Sequence, residues 1–401
     1  MLARAHVVRR AALVCLVCLA GAACAACSSS KLREPSANPP SDDAGVAGSS
    51  GQAGGVGDAG EDAAAGTTDE APGTETLQVF DAARITSDMT APNFQQQSAD
   101  LDFGAGPFSS VRLIADLGTT CFPFAGWKDN PPPSGENWPA DCDAFDRNFE
   151  LSLDDPEAGA DASAAPGLEL VRAITPFGGP MHIERDVTVI ANALPGPHRL
   201  RAHITTYADG AGLVTGSKAG WNISVRVELV RGPLVQHPLA VVPLFYGDLS
   251  SAEPMTASFT VPKGTRQGFL EYRTTGHGQG NGDFFQCKGP AEEFCSRQHT
   301  IQIDGEVIKS FTPWRSCLSA CTLVTTDTDA GFDYCAENPC GAIASVKAPR
   351  ANWCPGSESA PLVLDAAELA TPGAHDVSWQ VSEIATGGIV RVSLTYYAFA
   401  D

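Results

Sequence analysis

Basic residues are scarce in this chain of 401: 26 lysines and arginines face 47 acids, a net charge of −21 with histidine neutral. That excess argues against nucleic acid and anionic membrane surfaces as partners, since both repel it, and leaves neutral ligands compatible. Helical periodicity is nearly absent. Apolar runs are short too: only Ala11–Ala26, behind Arg4, Arg9 and Arg10, is sustained, and it is too short to span a bilayer as a mature helix. The Gly-rich stretch 276–282 lacks the strand-turn-helix context and the Gly-Lys-Ser/Thr of a phosphate loop, and reads as a mobile loop.

What is present begins with an export signal, residues 1–27, ending in Gly21-Ala22-Ala23-Cys24-Ala25-Ala26-Cys27 and three serines. The ending resembles a bacterial lipobox, with Cys27 or Cys24 as the lipidated residue, so membrane association is expected through a lipid anchor alone. The expected location is the outer membrane or cell surface, with simple secretion as the alternative. Residues 28–76 hold Gly, Ala, Ser, Pro and acids with almost no large apolar side chain, and cannot offset the entropy of ordering; they read as a tether.

The remaining stretch shows apolar residues at every second position, as in Val111–Ala115, Phe149–Leu153, Ile223–Leu229 and Val390–Tyr396. Such alternation puts one face on a core and the other in water. Asp304-Gly305 between two alternating runs is a hairpin signal. Many short strands punctuated by Gly and Pro predict an all-β chain of antiparallel sandwiches. A breaker-rich segment, 231–238, divides it into 77–235 and 236–401, each long enough for one eight-stranded sandwich.

Nine cysteines lie in this part, and in an exported chain they imply disulfides. Cys121–Cys142, Cys287–Cys295 and Cys335–Cys340 are natural local pairs; Cys354 takes Cys317 or Cys321, leaving one over. Asp146 beside Arg147 reads, on its own, as a strand-edge ion pair of little worth.

The combination says more. Cys142-Asp143-Ala144-Phe145-Asp146-Arg147, Ile174-Thr175-Pro176-Phe177 and Ala240-Val241-Val242-Pro243 occur in one order with Glu293-Phe294-Cys295, Arg297, His299-Thr300-Ile301 and Arg350-Ala351-Asn352-Trp353-Cys354-Pro355-Gly356. This order resembles the bacterial peptide-N-glycosidase F family. The resemblance implies two side-by-side antiparallel jelly rolls with the site in the cleft between them, and hydrolysis of the amide joining asparagine to the first N-acetylglucosamine of an N-linked glycan. It assigns catalysis to Asp146 and Glu293, hydrogen-bond donation to Arg147 and Arg350, and sugar contact to Trp353. Phe145, Phe294 and Tyr207 stand at or beside family tryptophans and are expected to line the substrate, and Thr205 replaces a family acid. Amide hydrolysis without a nucleophilic side chain or metal needs a carboxylate to deprotonate water and donors for the developing oxyanion, which this set supplies.

N-glycosylated proteins or glycopeptides are the expected substrates, with no metal, no cofactor and a monomeric state. A surface protein that binds a glycan or peptide without cleaving it is the alternative, supported by Thr205. A copper monooxygenase is a third, resting on His277 and His299; without His-x-His these read better as structural or loop histidines.

Overall fold

A computed structural model describes residues 73–154, 167–278, 287, 291–326 and 332–401. The export signal, both candidate lipidation cysteines and the tether up to residue 72 lie outside the described residues, as does most of the Gly-rich loop. The first strand starts inside the stretch assigned to the tether: β1 is Thr74–Thr86.

Eight strands follow in the first half: β1, β2 (Gln96–Asp102), β3 (Phe108–Gly118), β4 (Asn148–Asp154), β5 (Leu168–Ile174), β6 (Met181–Asp186), β7 (Pro197–Ile204) and β8 (Gly220–Arg231). They form two antiparallel sheets, ordered β1-β8-β3-β6 and β5-β4-β7-β2. The alternation read in β8 is the reason it forms the sandwich wall: Trp221, Ile223, Val225, Val227 and Leu229 all point inward and are buried.

The second half contributes β9 (Pro238–Leu249), β10 (Met255–Val261), β11 (Gln267–Gly278), β12 (His299–Ile303), β13 (Glu306–Phe311), a small hairpin of β14 (Leu323–Thr325) and β15 (Asp333–Cys335), β16 (Ser357–Glu358), β17 (Leu362–Asp365), β18 (Gly373–Val381) and β19 (Gly388–Phe399). Its two sheets run β10-β18-β12-β13 and β17-β11-β19-β9. Asp304 and Gly305, with φ of 51° and 86°, form the tight turn between β12 and β13, which suits the primed turn of a twisted hairpin. The fold is therefore two eight-stranded antiparallel jelly rolls, as the pattern and the resemblance predict.

Two strands are covered on both faces, which shows where the sandwiches meet. All of β5 is buried. In β19, Val392, Leu394 and Tyr396 enter the second core while Tyr397 and Phe399 join the first. Between the sheets runs a buried polar network. Arg172 donates to Glu169 at 2.7 and 2.8 Å and to the Arg391 carbonyl at 2.7 Å, Arg391 donates to Glu150 at 2.9 Å, and Tyr246 and Ser393 donate to Glu150 and Glu169. Burial pushes Glu150 up, but His203, Arg391 and Arg172 together hold it well below the usual carboxylate range. A fifth strand crosses over: β16 pairs with β5, Ser357 opposite Ile174, so a second-half segment extends a first-half sheet.

Four disulfides form among the described residues. Cys121–Cys142 and Cys287–Cys295 are present, and Cys354 takes Cys317. The expected Cys335–Cys340 pair is corrected: Cys335 bonds Cys321, leaving Cys340 as a free thiol. The hairpin register explains this, because Leu323 sits opposite Cys335 and brings Cys321 alongside.

Candidate functional site

The loop entering β4 is built around Asp143, a residue quoted in the motif without a role. Its carboxylate is fully buried and accepts from Arg147 Nε at 2.9 Å, Arg147 Nη2 at 2.9 Å and Thr206 Oγ1 at 2.6 Å. Thr175 closes the far side, its Oγ1 accepting from the Arg147 amide at 2.8 Å. The Cys121–Cys142 disulfide anchors the start. Residues 143–147 thus form a rigid arch with Asp146 at its crest, and its side chain is 16% exposed.

Arg147, expected as a substrate donor, is committed to Asp143 and lies over the Phe145 ring at 5.1 Å. Its place in the structure is that of a brace. Phe145 is half-buried against Phe177, and Tyr207 is exposed, its carbonyl accepting from Arg147 Nη2 at 3.4 Å. Thr205 is half-buried and its amide donates to the Asn148 carbonyl at 3.2 Å.

Glu293 sits in a single 3-10 turn, Glu292–Phe294. Glu292, next to it, is fully buried, accepting from Arg297 Nε at 2.7 Å, Arg297 Nη2 at 3.1 Å and the Ala385 amide at 2.9 Å. The turn is clasped so closely that a Cβ on Gly388 would meet Glu292 Cβ at 2.7 Å, so only glycine fits there. The Cys287–Cys295 disulfide and a bond from the Ala351 amide to the Glu293 carbonyl at 2.8 Å complete the clamp. Glu293 itself projects from it, 26% exposed at the side chain.

Arg350 joins the two acids. Its guanidinium is 1% exposed, with Nη2 at 3.7 Å from Asp146 and Nε at 4.0 Å from Glu293. Nη1 donates to the Ser345 and Ala348 carbonyls at 2.7 and 3.1 Å, and Nη2 to Ser345 Oγ at 3.2 Å; Nε has no hydrogen-bond partner. Phe294 and Trp353 lie against its faces at 5.0 and 4.6 Å. Trp353, expected to touch the sugar, is only 2% exposed. Its Nε1 donates to the Gly276 carbonyl at 2.8 Å, and His277 stacks on it at 5.5 Å. In this conformation Trp353 supports the guanidinium from inside the protein. The two histidines considered for copper are separately employed, since His299 hydrogen-bonds Tyr272 at 2.9 Å.

One carboxylate from each sandwich therefore flanks one buried guanidinium. Burial raises Asp146 to about 6 against the pull of Arg350 and Arg147, while burial and the Asp146 charge raise Glu293 to about 7 against Arg350. Two acids so placed hold roughly one proton between them near neutral pH. A pair so charged can offer one proton acceptor and one donor. Sequence reading missed Asp143, Thr175 and Thr206, although the four-residue spacing of Asp143 and Arg147 is the signal of a local ion pair.

Comparison with known proteins completes the picture. Residues 245–394 match the family described as peptide-N-glycosidase F, C terminal. The solved structure of PNGase F, a glycosylasparaginase from Flavobacterium meningosepticum, superposes with a TM-score of 0.59 at 18% identity, covering 82% of this chain and 96% of that one. A structure of PNGF-II gives 0.57 at 16% identity, covering 81% of this chain and 65% of that one. No curated protein matches. At such identities the superpositions establish the shared fold.

Proposed function

We propose, from a second sandwich that matches the peptide-N-glycosidase F C-terminal model over residues 245–394, that the chain hydrolyses the side-chain amide linking asparagine to the first N-acetylglucosamine of N-glycans on extracellular glycoproteins. The observation that supports this reading is the placement of Asp146 and Glu293, from different sandwiches, within 4.0 Å of the Arg350 guanidinium.

Asp146, the more acidic of the pair, is the ionised member at neutral pH and takes the proton of the attacking water. The hydroxide oxygen bonds to the amide carbon, and the carbonyl oxygen becomes an oxyanion that the protonated Glu293 stabilises. Collapse breaks the carbon–nitrogen bond, Asp146 returns its proton to the departing glycosylamine nitrogen, and asparagine becomes aspartate. Arg350 holds both carboxylates in place and limits how far burial raises them. Arg147 keeps Asp146 at the crest of its arch, while Phe145, Phe294 and the exposed Tyr207 offer ring surface to the sugar and peptide.

Four disulfides suit an exported chain, and among the described residues no helix is long and apolar enough to cross a membrane. Anchoring through Cys27 or Cys24 is part of the proposal. A second reading, a surface protein that binds glycans without turnover, draws on Thr205 in place of an acid and on the burial of Trp353. Incubating the disulfide-bonded protein with a denatured glycoprotein separates the two: released glycan with asparagine converted to aspartate supports hydrolysis. Binding without release, unchanged by Asp146→Asn, supports the binder.

A further inference from the structure

A second feature lies between the sandwiches, at a place where none of the residues just described is found. It is a cavity of about 370 Å³, walled by the end of β6, the short helix Thr188–Ala193, β11, β19 and the linker between the two halves. Its apolar floor is Phe269, half-buried and stacked on Tyr397 at 4.9 Å and on Phe399 at 5.6 Å. Polar groups with unmet capacity gather beside it. Arg273 lines the wall at 2% exposure; its Nη1 donates to the Glu169 carbonyl at 3.0 Å, and its Nε has no hydrogen-bond partner. Arg185, also on the wall, reaches Glu271 only at 3.7 Å and, behind the wall, Glu358 only at 3.5 Å.

Orphaned polar groups around a roomy cavity call for an occupant. Charge narrows its chemistry. Arg185 and Arg273 are offset by Glu271 and Glu358, and Asp186 is engaged by the Thr188 amide at 2.8 Å, so neither an anion nor a cation is selected. An aromatic floor beneath both donors and acceptors suits a neutral, hydroxyl-rich ring with one apolar face. We infer that this cavity is a second, non-catalytic binding site for a neutral pyranose, a hexose or an N-acetylhexosamine. It holds the protein on carbohydrate while the Asp146 site works elsewhere. The inference does not depend on the hydrolytic reading, because a chain that cleaves nothing would still bind sugar here.

The test uses the full chain carrying Asp146→Asn, titrated calorimetrically with N-acetylglucosamine and separately with mannose. Two further substitutions are made on that background: Val235→Trp, at a mouth residue 85% exposed, and Arg185→Leu on the wall. Saturable binding of at least one sugar, weakened about tenfold or more by each substitution, is the expected result. No saturable binding of either sugar overturns the inference. So does binding that both substitutions leave unchanged, since it belongs to another site. Val235→Trp in a chain with intact Asp146 should leave glycopeptide turnover unaltered, so a failure of the hydrolytic reading is seen separately.

Discussion

Glu293→Gln removes one charge from the acid pair while keeping the side chain's shape, and so isolates what the site costs the fold. Burial and the Asp146 carboxylate raise Glu293 from 4.5 to about 7, with Arg350 opposing. At about 1.4 kcal/mol per pH unit the shift amounts to roughly 3 kcal/mol. The folded chain binds this proton more tightly than the unfolded chain. The group's stabilising contribution is therefore complete below 4.5 and lost as pH rises through about 7. Above that range wild type carries an ionised carboxylate where it is disfavoured, and glutamine escapes the penalty. Glu293→Gln should be more stable than wild type by about 2–3 kcal/mol near pH ~8, and equal to it near pH ~4. Urea unfolding with disulfides intact, followed by tryptophan fluorescence at both pH values, measures the difference. Destabilisation at the higher pH, or the same gain at both, would refute the reasoning. Under the proposed function the gain comes with lost turnover, a trade of activity for stability.

Other substitutions probe the supports. Asp146→Asn should abolish glycan release while leaving the circular dichroism spectrum and melting cooperativity intact. Glu292→Gln takes the charge of its bidentate partner from the buried Arg297, which also donates to Glu383 at 3.1 Å; about 3 kcal/mol of stability should go, read as a lower denaturation midpoint, with kcat falling as Glu293 shifts. Replacing Cys121 and Cys142 together by serine opens a loop with a sequence separation of 21. The cost should be about 3 kcal/mol by the chain-entropy account, and activity should suffer more than distant packing, because Asp146 lies just beyond Cys142.

Much of the architecture was legible because period-two alternation is a direct imprint of a strand with one covered face. β8 and the Asp304-Gly305 turn are plain cases. Alternation does not say what covers the opposite face. Glu150 holds a solvent-facing position in the Phe149–Leu153 alternation, yet it is buried, with Glu169 and Arg172, where the sandwiches meet. The burial of Glu292 is equally hidden: its partner Arg297 is near in sequence, but the Ala385 amide that also binds it is remote. The sequence named residues that meet around Arg350, but not which way each of them faces. Arg147 and Trp353 turn inward to brace Asp146 and Arg350, an orientation only packing decides. The crossing of β16 onto β5 left no local signal, being two residues paired with a distant strand.

The central claim is that Asp146 and Glu293 direct water onto the asparagine amide carbon. Digesting an N-glycosylated peptide in ¹⁸O-labelled water and weighing both products by mass spectrometry tests it most directly. The account predicts a glycan released as its 1-amino sugar, taking up label only as that amine hydrolyses in the solvent, and a peptide in which asparagine has become aspartate carrying one ¹⁸O. Absence of release, or a peptide that keeps its first N-acetylglucosamine while the label enters the sugar, would contradict it.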